Sequence, residues 1–217
     1  MRFSLARVRH LLVVAPHPDD EAIAAWATMR HLRARGVRVD VLVVSDGGAS
    51  HPRSERWPPT RLVAERRRET RRVLRPLGVT PATIRCLGLP DGALPADPAL
   101  LRRRLARAIL ARRAPDLILA PVPDDAHADH AAIARALRSL PRRGEDRAGY
   151  HVWPEGAGRC FRDLHVRLSP HVAAMKRAAI RRYRTQAGAI TDAEAGFAMT
   201  HRHLNAFAAP VERFRRL

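Results

Sequence analysis

The sequence predicts a doubly wound α/β domain, a mostly parallel, Rossmann-like sheet with helices on both faces. Three observations predict it. From residue 11, short apolar runs alternate with longer helical patterns, giving four strand–helix units in succession. Val37 to Ser45 is mostly apolar, as expected of a strand buried on both faces. No linker or internal repeat divides the 217 residues, and 46% hydrophobic content can fill one core. The expectation is one domain over residues 1–217, with a core at 10–141 and a C-terminal extension at 142–217 packing on it.

In chain order, Leu11 to Ala15 reads as the first strand, and a helix from Asp20 to Ala34 follows, ended by Gly36. After the strand at Val37–Ser45, a loop of Gly, Ser and Pro leads to a helix capped by Thr60 and running to Arg75. Ile84 to Leu87 makes the third strand. Asp97 caps the next helix, with Pro98 at its first position, where a missing N–H costs nothing. That helix reaches Arg113, Asp116 to Ala120 is the fourth strand, and a helix from Asp129 to Leu140 stops at Pro141. Signals then weaken: Tyr150 to Trp153 reads as an edge strand, Leu164 to Leu168 as another. Ser169 caps a helix from Pro170 to Thr185, and the tail from Thr191 is partly helical, with Phe197, Phe207 and Phe214 packing back onto the domain.

Charge narrows the function classes. The formal net charge is +19, and all but one of the 40 basic residues are arginine, Lys176 being the only lysine. Clustered guanidinium groups bind phosphates, so nucleic acid is the first class to weigh. The arginines are instead spread over every helix, aromatic content is 5%, and no finger, recognition motif or stacking pattern accompanies them. No segment approaches the roughly 20 apolar residues of a membrane-spanning helix, and Leu11–Ala15 is too short for a signal-peptide core. Cys86 and Cys160 lack metal-ligand spacing and are too few for a disulfide framework. The expected setting is soluble and cytoplasmic.

The chemistry lies in two turns. Pro16-His17-Pro18-Asp19-Asp20-Glu21 follows the first strand, where a dinucleotide-binding domain would carry Gly-x-Gly-x-x-Gly. Three consecutive acids repel a phosphate and suit a cation. Asp124-Asp125-Ala126-His127-Ala128-Asp129-His130 follows the fourth strand and places His127 and His130 one helical turn apart. In a sheet ordered 3-2-1-4-5 the first and fourth strands are neighbours at the switch point, so the two turns face one crevice. Imidazole and carboxylate at one open site describe catalytic zinc, with three protein ligands and a place for water. His17, Asp20 and His130 can supply the three. Asp19 is then the uncoordinated carboxylate left to take a proton from water, His127 can stabilise an oxyanion or protonate a leaving amine, and Asp129 can orient a histidine from behind. Each turn has a plainer reading as well: acids at a helix start answer the helix dipole, and surface histidines are common.

The His-Pro-Asp-Asp-Glu turn and the His-x-Asp-His turn together resemble the PIG-L (LmbE-like) family of zinc-dependent N-acetylglucosaminyl deacetylases. Supporting motifs are Asp46-Gly47-Gly48, Arg66-x-x-Glu69, Leu89-Pro90-Asp91-Gly92 and the stretch from Lys176 to Thr185-Gln186. The resemblance implies one Zn2+ per chain on His17, Asp20 and His130, with Asp19 as general base and His127 stabilising the tetrahedral intermediate. It also implies that Arg66 contacts substrate, although a helical Arg-x-x-Glu is equally an ordinary surface ion pair with Glu69. Glu21 would hold the turn, and Asp46 could line the crevice, though Asp-Gly is primarily a turn signal. Ala128 replaces a frequent proline, and Gly48 stands where an acid is common. The implied partner is a small-molecule or lipid-linked N-acetylated amino sugar. Competing classes are a basic module on nucleic acid or an anionic membrane surface, through Arg61–Arg75 and Arg102–Arg113, and a zinc amidase for a non-sugar amide. Substrate choice would lie in the loops at 46–59 and 142–159.

Overall fold

The computed structural model describes residues 4–153 and 164–217; Cys160 and most of the 142–159 loop's second half lie outside them. Seven strands form one sheet in the order β3-β2-β1-β4-β5-β7-β6. They are β1 (His10–Ala15), β2 (Arg38–Ser45), β3 (Ile84–Leu89), β4 (Leu117–Pro121), β5 (Asp146–Tyr150), β6 (Leu164–Arg167) and β7 (Val211–Arg216). The first five are parallel, and β7 runs antiparallel to both β5 and β6. β1 therefore lies between β2 and β4, as the sequence predicts.

Side-chain alternation sends each strand's apolar residues to two cores. Leu11, Val13 and Ala15 pack on one face with α1 (Asp20–Ala34), α5 (Pro170–Ile180) and α6 (His201–Phe207). Leu12 and Val14 pack on the other with α3 (Pro98–Leu110) and α4 (Ala128–Arg138). The remaining helix, α2 (Pro59–Leu74), places Val73 and Leu74 in the first core. Helix α1 is apolar nearly all round because it is enclosed between the sheet and α5. It breaks at Ala25 (φ −140°, ψ 15°).

Several boundaries differ from expectation. Helix α2 begins at Pro59, whose fixed φ suits a first position, so Thr60 sits inside its first turn and no side chain caps it. Helix α3 stops at Leu110 and α5 at Ile180, five residues before Thr185. The expected edge strand at Tyr150–Trp153 is instead β5, an interior strand ending at Tyr150, whereas the edges are β3 and β6. Phe214 does pack into the core, but from a strand, β7, that the partly helical reading of the tail omits. Residues beyond 142 thus supply three of the seven strands and complete the sheet.

Candidate metal centre and active site

The chain leaves β1 at Ala15 and enters α1 through Pro16-His17-Pro18-Asp19. Asp19 has φ 127° and ψ −29°, a conformation that L side chains rarely adopt and that costs about 1–3 kcal/mol. The surroundings over-determine it. Its N–H donates to Glu21 Oε2 at 3.0 Å, the Tyr183 hydroxyl donates to the other Glu21 oxygen, and its carbonyl accepts from Ala22 and Ile23, each at 2.9 Å. Buried Arg66 donates to the Pro18 carbonyl at 2.6 Å, to the Gly47 carbonyl at 3.1 Å and to Asp19 Oδ2 at 3.3 Å. Gly47 is required there: its φ is +71°, and a Cβ would meet the Arg66 guanidinium at 2.7 Å. Glu21 holds the turn as expected.

At the end of β4, His127 takes the N-cap position of α4 and its Nδ1 accepts the Asp129 N–H at 3.2 Å. One turn on, His130 meets the first cluster. His17 Nδ1, Asp20 Oδ2 and His130 Nε2 form a nearly equilateral triangle, with sides of 3.2, 3.2 and 3.3 Å. Tetrahedral zinc with bonds of about 2.0–2.1 Å spaces its ligand atoms by roughly 3.3–3.4 Å. Two imidazole nitrogens share one carboxylate oxygen here, an arrangement that protons satisfy only by charging the rings, whereas one cation among them engages all three lone pairs. The residues present therefore fit a divalent ion.

The outer nitrogens of both histidines are backed by carboxylates, which fixes ring orientation. His17 Nε2 lies 3.1 Å from Asp91 Oδ1 and 3.2 Å from Asp129 Oδ2. His130 Nδ1 lies 3.1 Å from Asp125 Oδ1. Asp129 also accepts the N–H groups of Gly92 and Leu94, so it ties the 91–94 turn to the site. Two further sets, His17-His127-His130 and His17-Asp91-Asp129, bring ligand atoms within 4.8 Å of one another.

Burial opposes protonation of His17 and His130. For His17, hydrogen bonds to Asp129, Asp20 and Asp91 outweigh it and hold the pKa well above the ordinary histidine value. For His130, the charge of Asp20 and the contact with Asp125 raise it to about 9. Burial would raise Asp20, yet the two histidines hold it far below the usual carboxylate range. Asp19 is pushed up by burial, with Arg66 opposing and the neighbouring acids adding. His127 is pushed down by burial and by His17 and His130. It is thus a neutral ring whose Nδ1 accepts from the backbone, which leaves its hydrogen on Nε2 as a donor.

His17, Asp19, Asp20, Arg66, His127 and His130 all line one cavity of about 360 Å³. Asp46 is not among the lining residues; its carboxylate accepts from Gly48 N–H at 2.9 Å and Asp91 N–H at 3.3 Å and so braces the loop. The surface ion pair between Arg66 and Glu69 does not form. Both are buried, and Glu69 accepts instead from the Thr185 N–H and hydroxyl, which explains the early end of α5: the chain must turn to bring Thr185 to Glu69 and Gln186 to the cavity. Sequence reasoning passed over Asp91 and Asp125 as site residues, and Trp153 and Gln186 as cavity walls. Asp91 had a signal, the Pro-Asp-Gly turn directly after a strand's carboxyl end.

A doubly wound sheet carrying this histidine–carboxylate centre at its switch point defines a class, the α/β enzymes with a candidate metal site beyond the carboxyl ends of their strands. Within it, the chain belongs to the PIG-L family, described as GlcNAc-PI de-N-acetylase, whose model matches residues 12–140; it is a deacetylase. A probable N-acetyl-alpha-D-glucosaminyl L-malate deacetylase 2 of Bacillus cereus is 31% identical over 151 residues, 66% of this chain and 67% of that protein. Its namesake from Bacillus anthracis is 29% identical, and the chain spans 61% of its length. The fold matches that of an N,N'-diacetylchitobiose deacetylase from Pyrococcus horikoshii with a TM-score of 0.78 at 23% identity, over 99% of this chain and 87% of that one.

Proposed function

We propose that the chain hydrolyses the N-acetyl group of an N-acetylglucosamine-type sugar in a glycoconjugate, with one Zn2+ on His17, Asp20 and His130. The observation that carries this reading is the ligand triangle sharing one cavity with Asp19 and His127. Zinc held there would polarise the acetamide carbonyl and activate water. The other steps belong to side chains. Asp19 takes the proton of the attacking water, since Arg66 and the turn fix its carboxylate beside the triangle without making it a corner. As the carbonyl carbon becomes tetrahedral, the Nε2 hydrogen of His127 donates to the developing oxyanion. The C–N bond then breaks, the proton passes to the amine, and acetate and the free amino sugar leave. Asp129, Asp91 and Asp125 keep the ligand rings oriented, and Arg66 contacts the sugar from the cavity wall.

Acetate release from N-acetylglucosaminides tests this reading. Asp19→Ala should lose about 10²–10⁴-fold in turnover while retaining zinc. Near-native turnover in that variant would remove Asp19 from its role. A reducing cytoplasm suits the free thiol of Cys86, and among the described residues no helix is long and apolar enough to cross a membrane.

A further inference from the structure

The arginine excess gathers at one place that the metal centre does not use. Arg71, Arg72, Arg75 and Arg182 line a concavity of about 610 Å³ together with Pro76 and Pro81. Three stretches of chain build it: the end of α2 with the single-turn helix Arg75–Leu77 that continues it, the single turn Pro81–Thr83, and the residues just after α5. It lies where the chain turns into β3, the edge of the sheet away from β6. Cations near a helix C-terminus ordinarily answer its dipole, which accounts for the α2 arginines and for Arg182 taken singly. The dipoles give no reason for two helices to turn their cations into one space.

Like charges drawn together repel unless an anion answers them. Glu65 answers in part: it lies 3.6 Å from Arg72, but it also serves Arg68 at 3.3 Å. All four arginines are exposed, so a ligand reaches them directly. The two prolines fix φ at two positions of the lining, which shapes the concavity before a ligand arrives. A guanidinium fork engages phosphate oxygens two at a time. A single phosphate group carries about −1.5 to −2 at pH 7, too little for four arginines even after the share of one glutamate; two linked phosphates come close. A bilayer or a duplex spreads its phosphates over a broad surface, whereas these four cations converge.

We propose that Arg71, Arg72, Arg75 and Arg182 form a binding site for a diphosphate group. The site shares no lining residue with the metal cavity, so it needs neither the metal nor acetate release. The group can come from free pyrophosphate or from a nucleoside diphosphate. Isothermal titration in about 0.15 M salt, which screens loose surface attraction, compares pyrophosphate, inorganic phosphate and ADP. Pyrophosphate should bind about tenfold more tightly than phosphate. Arg75→Gln and Arg182→Gln should each weaken it by about tenfold, roughly 1.4 kcal/mol, and the double variant should show no binding. ADP bound more tightly than pyrophosphate identifies a nucleotide source, and ADP bound equally or more weakly identifies the free anion; either supports the site. Unchanged affinity in the double variant, or phosphate bound as tightly as pyrophosphate, would overturn the proposal. Pyrophosphate also complexes zinc, so zinc-loaded and metal-free chains are both titrated, and binding that appears only with zinc present would overturn it too. Phosphatidylglycerol vesicles or duplex DNA bound through these arginines while pyrophosphate is not would assign a broad polyanion surface instead and contradict a diphosphate site.

Discussion

Two buried polar centres lie along α1, and they differ in what they leave unsatisfied. The first surrounds Glu212 of β7. The break of α1 at Ala25 frees N–H groups in the helix's second half, and Glu212 accepts those of Ala27 at 2.9 Å and Thr28 at 2.8 Å, with the Thr28 hydroxyl at 2.6 Å and Lys176 Nζ at 2.8 Å. Four donors answer one carboxylate, and the centre is closed. The second surrounds the triangle at the start of α1, where two imidazoles share one Asp20 oxygen beside a cavity. Burial and charge alone do not separate structure from function here. Lone pairs converging on an accessible space do.

The comparison can be broken at either centre. Chelation should abolish acetate release and zinc should restore it, while the circular dichroism of the metal-free chain stays native because the Glu212 centre carries the α1 break unaided. Loss of the folded spectrum on chelation would make the metal structural. Lys176→Met, in turn, should leave zinc content intact and lower stability by about 3–5 kcal/mol, the cost of stranding one member of a buried pair. Urea unfolding reads this directly, and an unchanged midpoint would contradict the closed centre.

A finer contrast concerns strain. Asp19→Gly and Asp19→Ala both remove the carboxylate and its Arg66 contact, but only glycine accepts φ 127° without penalty. The glycine variant should be the more stable by about 1–3 kcal/mol, with both inactive. Equal stability would mean that the turn stores no strain. The smallest effect lies at the far end of the sheet, where buried Asp40 is held below the usual carboxylate range by His10 and Arg38 despite its burial. A depressed folded pKa adds stability above the unfolded value near 3.9, and this is lost as pH falls through the folded one. The stability gap between the natural chain and Asp40→Asn should therefore narrow below about pH 4; a gap independent of pH would contradict the assignment.

These same centres show what was legible in the sequence. The triangle was, because His17 and Asp20 share a turn, His130 opens a helix after β4, and parallel-sheet topology places β1 beside β4. Glu212 was not: its partners Lys176 and Thr28 lie far away along the chain, and no local spacing announces them. Strand β7 hid for a related reason. In Val-Glu-Arg-Phe-Arg-Arg the buried positions are Glu212 and Phe214, so a charged residue occupies a core-facing place that an apolar alternation would mark. β5 likewise buries Arg147, which pairs with Glu145 and bonds the carbonyls of Leu137 and Leu140. For Arg66 the motif left substrate contact and a surface ion pair with Glu69 open; the residue is buried at the cavity wall and the surface pair is absent, because a motif gives spacing along a helix but not what the buried face meets.

Metal stoichiometry tests the open centre most directly. Zinc-loaded protein, dialysed and analysed by atomic absorption, should carry one ion per chain; His130→Ala should carry almost none, and Lys176→Met should still carry one. Full zinc content in His130→Ala, or two ions per chain in the natural protein, would contradict a single ion held by His17, Asp20 and His130.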